Sequence, residues 1–137
     1  ISLLTMSCVY LGGTSALPIA EAAIVDGQEV ADGTTLNFTD NHTINQNMDK
    51  QPAITIDQNK NVTINAQGTL NILGSGKPSS QGNAIAYAYA GATLDFTGND
   101  IIFSGSVADG NKVEGILANG ANIGSTINLK GYVTTNS

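Results

Sequence analysis

Apolar and polar residues alternate with a period of two along most of this chain, and the clearest case lies between Ala53 and Leu73. Three short alternations occur there: Ile54-Thr55-Ile56, Val62-Thr63-Ile64 and Leu70-Asn71-Ile72. Between them lie the turn-forming runs DQNKN and NAQG. A period of two places β-branched side chains on one face of a strand and Thr or Asn on the other. The pattern therefore predicts three strands, with Ile64 turned inward and Thr63 outward. No helical period fits into so short a stretch.

The same pattern extends in both directions. Upstream, an Asp32-Gly33 turn precedes the alternating strand Thr35–Thr39, and an Asp40–His42 turn precedes the short strand Thr43–Asn45. Downstream, Gly74–Gly82 reads as a polar loop; its glycines miss the GxxxxGK[ST] spacing of a phosphate loop, and no helix follows them. Ala84–Ala90 alternates Ala with Ile85, Tyr87 and Tyr89. Thr93–Thr97, Asp100–Gly105, Ile116-Leu117 and Ser125–Gly131 continue the theme. Strand-like units return at intervals: Val62 lies 31 residues before Thr93, Ile72 lies 31 before Phe103, and Phe103 lies 26 before Leu129. Recurrence at about 20 to 30 residues predicts stacked coils with loop insertions. The fold class expected is all-β, as a parallel β-helix of about four or five coils.

Composition sharpens this picture. The chain has 137 residues, 12% of them charged, with 16 Gly and a net charge of −6. Its cations are five Lys and no Arg, which leaves no basic footprint for nucleic acid or for an anionic lipid surface. The single cysteine, Cys8, lies in an apolar opening segment, so the body of the domain holds no disulfide.

That opening segment, residues 1–22, is apolar, carries no charge before Glu21 and closes on small residues after Pro18. It reads as a secretory signal peptide with a truncated n-region. Ala20 and Ala22 form the A-x-A cleavage pattern, and the mature domain would span 23–137. Gly12-Gly13, Ser15 and Pro18 interrupt the run, which argues against a membrane-spanning helix. A lipoprotein site at Cys8 is the other alternative, poorly matched by Thr5-Met6-Ser7.

The signal-like start, the Cys-free body rich in Asn, Thr and Gly, and the paired units NVTINAQGTLNILG and GATLDFTGNDIIFSG resemble the N-terminal end of a bacterial autotransporter passenger, a type V secretion adhesin. The resemblance covers about residues 24–137. It implies a pectin-lyase-like right-handed β-helix, exposed at the cell surface outside the outer membrane. The family's C-terminal membrane barrel would lie downstream, so both ends are expected to belong to a longer protein. The passenger segment itself would not enter the membrane. No Asn-Pro-Asn-Gly loop of the kind found in two-partner exoproteins occurs.

Candidate chemistry is sparse. Tyr87 and Tyr89 share a strand face and are the candidate contact surface for a host-surface protein or a glycan. The alternative buries the rings and turns the alanine face outward or toward a loop. His42 reads as a solvated turn residue without a second His beside it. Asp95, Asp100 and Asp109 carry no calcium-repeat spacing, Asp95 and Asp100 being placed on neighbouring strands. Three Asn-X-Thr triplets, at Asn37, Asn41 and Asn61, are what a chain rich in Asn and Thr produces by chance.

The expected role is therefore adhesive or structural and non-catalytic, with no cofactor and no metal. The alternative is a fragment of a carbohydrate-active β-helix enzyme, a polysaccharide lyase or hydrolase, whose catalytic coils lie outside the chain. A phage or S-layer-like solenoid is a third possibility, against which the signal-like start argues. For catalysis the chain offers no Arg as a lyase base, no tight carboxylate pair and no Gly-x-Ser-x-Gly elbow.

Overall fold

The computed structural model describes residues 23–47, 52–74, 84–105, 114–119 and 124–136. The proposed leader with Cys8, Ala20 and Ala22, the 74–82 loop beyond Gly74 and the turn at Asp109 lie outside them. Every element among the described residues is a strand: β1 Ala23–Val25, β2 Gln28–Val30, β3 Thr34–Phe38, β4 His42–Asn45, β5 Ile54–Ile56, β6 Asn61–Gly74, β7 Ala84–Tyr89, β8 Thr93–Gly105, β9 Glu114–Asn119 and β10 Thr126–Asn136. No helix among them is long and apolar enough to cross a membrane.

The strands form two sheets. One runs β2-β1-β5-β7-β9; the other runs β10-β8-β6-β3, with β4 also paired to β6. Pairing is parallel throughout except at β1, which meets both β2 and β5 antiparallel. The hairpin β1–β2 is absent from the sequence-based expectation. Its turn, Asp26-Gly27, has positive φ at both residues (57° and 75°), the backbone that lets a two-residue turn follow strand twist.

The alternation places side chains as expected along β6. Val62, Ile64, Leu70 and Ile72 are buried, whereas Thr63 and Asn71 are only partly so. With Ile44, Ile54, Ile56, Leu94, Phe96, Ile101 and Phe103 they make one core between the sheets. Burial of each such side chain contributes about 1.5–3 kcal/mol relative to leaving it in water. Phe96 and Phe103 meet edge to face, with ring centroids 5.6 Å apart and an interplanar angle of 86°.

The register corrects three readings. First, NAQG is not a turn between two strands: β6 is one strand of 14 residues, bent by a bulge in which Gln67-Gly68 face Asn99 alone. The ladders on both sides hold this segment extended against its turn-forming composition. Asn41 Oδ1 accepts the Thr69 N–H at the bend (2.9 Å), supplying the partner that the interrupted ladder does not. Second, Asp95 and Asp100 lie on the same strand, because β8 also continues through its bend. Third, Leu129 pairs with Phe96 and Thr135 with Phe103, which replaces the 26-residue relation of Phe103 to Leu129.

The bend explains the unequal offsets. Between Phe38 and His42 three residues intervene, as they do between Ala66 and Leu70 on the next strand. Two intervene between Gly98 and Ile101, and only Tyr132 between Gly131 and Val133. Each residue lost from the corner shortens the offset by one after the bend: Val62 faces Leu94 at 32, which replaces the expected 31-residue relation of Val62 to Thr93, and Leu70 faces Ile101 at 31. The backbones close together where the corner tightens. Gly131 (φ 130°) lies against Gly98, and a Cβ there would overlap the Gly98 carbonyl.

Candidate functional site

The tyrosines occupy the side of β7 opposite the core alanines. Ala86 and Ala88 are fully buried in the core, so the alanine face points inward. Across the sheet Ile24 faces Thr55, and Thr55 faces Tyr87, so the three stand in one row. All three are buried, Tyr87 being 6% exposed. Tyr89 is partly exposed, and its ring stacks on Tyr87 at 5.9 Å and 14°. The pair is thus an aromatic ledge with one accessible member. The exposed aromatic on the described surface is instead Tyr132, 70% exposed at the tight corner, which the alternation alone does not single out.

His42 opens β4 and is no turn residue. Its ring lies flat on Phe38, centroids 3.9 Å apart at 12°, across the corner that the three residues 39–41 make. Asp95 accepts a hydrogen bond from Asn128 Nδ2 (2.6 Å), and Asp100 accepts one from the Thr69 hydroxyl (3.0 Å). Each carboxylate is thus tied to a different neighbouring strand. No group of three His, Cys, Asp or Glu side chains suited to a metal occurs among the described residues.

Two columns of polar side chains cross the outward face of the second sheet. Thr35, Thr63, Asp95 and Asn128 are successive partners on β3, β6, β8 and β10. Asn37, Asn65, Thr97 and Lys130 follow in the same order, two residues further along each strand. Within these columns Asn65 Nδ2 donates to Asn37 Oδ1 (2.9 Å), and Asn128 donates to Asp95. At the β6–β8–β10 end the columns border an open groove of about 510 Å³, lined by Thr63, Asp95, Thr97, Asn128 and Lys130 among others.

This groove escaped the sequence reading. Asn128 and Lys130 belong to an ordinary alternating strand, and only the register places them beside Asp95 and Thr97. The usable signal was outward polar residues at matched strand positions, but matching them needs the offset of 33 that β10 adopts.

Comparison with protein families, with curated proteins and with solved structures returns no match.

Proposed function

We propose that this chain is an exported, surface-exposed segment of a right-handed parallel β-helix, of autotransporter-passenger type, with an adhesive and structural role. One observation carries the reading. Twelve positions of β6 face twelve of β8 in parallel, while β5 and β7 pair in parallel in the other sheet over the same passage of chain. Parallel neighbours joined by crossovers are almost always right-handed. On this reading β3–β4, β5–β6, β7–β8 and β9–β10 are four successive coils. The antiparallel hairpin β1–β2 then covers the first edge of one sheet.

Such a coil stack presents long outward rows of side chains on a rigid frame, which suits a contact surface on a cell exterior. The apolar run 1–22 and its Ala20-x-Ala22 ending support export. Host-surface proteins or glycans are the proposed partners. The role proposed is that of a contact surface and is non-catalytic.

Protease treatment of intact cells, followed by N-terminal sequencing of the released material, tests this. Residues 23–137 should be removed from the cell surface, and the intact form should begin at Ala23. Full protection from protease, or a retained segment 1–22, overturns the proposal.

A further inference from the structure

We propose that the groove across β6, β8 and β10 is a binding site for a neutral oligosaccharide; this rests on the adhesive reading above and names the ligand class. Asp95 and Asn128 stand side by side on adjacent strands, and a bond of 2.6 Å from Asn128 Nδ2 to Asp95 Oδ1 joins the two planar groups. Asp95 Oδ2 accepts no hydrogen bond among the described residues, so it remains free to accept one from a ligand hydroxyl. The Asn128 side-chain oxygen is a second acceptor, and its remaining N–H is a donor. A carboxylate and an amide held edge to edge in this way match two adjacent hydroxyls of a sugar ring.

The flanking groups extend the match. Thr63 and Thr97 supply hydroxyls that both donate and accept, and Lys130 supplies donors at the groove's edge. Thr63, Asp95 and Asn128 lie on consecutive strands spaced about 4.8 Å apart, close to the rise of one sugar unit in an extended chain. A chain lying across the strands meets a polar group at each unit. Charge decides against the competing ligand classes. Asp95 and Lys130 offset each other within the groove, so its lining side chains carry no net charge that would favour an anionic polymer or a basic peptide there. A peptide added as an extra strand would pair along the outer edge of β10, in the plane of the sheet, and would leave the outward side chains of Thr63, Asp95 and Thr97 unengaged.

Saturation-transfer NMR on the full chain with cellohexaose, xylohexaose and chitohexaose, and with a hexuronate as the acidic comparison, tests the site. Transfer to at least one neutral hexaose is expected, with affinity falling at least tenfold in Asp95→Ala and in Asn128→Ala. Should either variant lose its β-sheet circular dichroism, Asp95→Asn, which keeps the shape and removes the charge, replaces it and should also weaken binding. Absence of transfer from all three neutral sugars overturns the site, as does tighter binding of the hexuronate or affinity unchanged in the folded variants. Those failures leave surface exposure untouched, because protease access and the N-terminus are read separately.

Discussion

Gly131 and Gly33 both have positive φ, 130° and 82°, yet they do so for different reasons. Gly33 has no heavy atom near the position of an added Cβ, so Gly33→Ala pays only for the left-handed backbone, about 1 kcal/mol. At Gly131 the Gly98 carbonyl occupies that position, and the two backbones cannot separate without breaking the β8–β10 ladder. Gly131→Ala should cost more than about 3 kcal/mol. Urea unfolding of the two variants checks the contrast, and equal midpoints would disprove it. Thr55 is the opposite case: it is 1% exposed, and its hydroxyl has no hydrogen-bond partner among the described residues. Thr55→Val keeps the shape and removes the orphaned polar group. It should raise stability by about 1 kcal/mol, seen as a higher melting temperature. Ile64, fully buried, should tolerate no charge: Ile64→Asp is expected to cost about 3–5 kcal/mol, against under about 0.5 for Thr63→Lys on the outer face.

Among elements, the bends and edges are held by acidic and amide side chains that accept backbone N–H groups, and in one case a side-chain amide, from neighbouring strands or from the facing sheet. Asp26 Oδ1 accepts from Asn45 N (2.9 Å) and from Asn47 Nδ2 (2.6 Å), Asp32 Oδ1 from Asn61 N (2.7 Å), and Asn41 Oδ1 from Thr69 N (2.9 Å). These oxygens lie where a ladder starts or breaks, so they satisfy donors that regular pairing leaves over. Asn41→Ala should destabilise by about 1 kcal/mol. It should also speed hydrogen exchange at Thr69 more than at Leu70, whose ladder is intact. Equal acceleration at both amides would show that Asn41 supports the bend by packing alone. In the hairpin β1 covers the β5 edge and β2 becomes the outer strand, three residues long with Gln28 and Glu29 exposed, a short charged edge that resists further pairing. Its turn is fastened to the far sheet through Asp26, which links the first edges of both sheets.

At the scale of the whole molecule, stability comes from repeated parallel pairing around one narrow core, with no cysteine among residues 23–137 to form a disulfide. The chain is expected to be inert toward acidic and neutral polysaccharides and indifferent to EDTA. The two carboxylates of β8 are each tied to a different neighbouring strand, Asp95 to Asn128 and Asp100 to Thr69. Neither pair places two carboxylates for acid and base roles. Release of reducing ends or unsaturated sugars from a polysaccharide panel is the measurement that would contradict this.

Side-chain direction was legible in the sequence because it depends only on local alternation: Ile54, Val62, Ile64, Leu70, Ile72, Leu94 and Phe103 are all buried. So was the 31-residue relation of Ile72 to Phe103, since both follow the bend by the same number of residues. The bend itself was not legible. NAQG carries turn-forming residues, and whether they reverse the chain or merely bulge depends on ladders contributed by strands about 30 residues away. The candidate groove shares that dependence. Asp95, Asn128 and Lys130 are ordinary outward residues of two strands, and the 33-residue offset between the first legs of β8 and β10 fixes which of them become neighbours. Alternation is a property of consecutive residues, whereas register is a sum over every insertion between two strands, so only the tertiary pairing decides it.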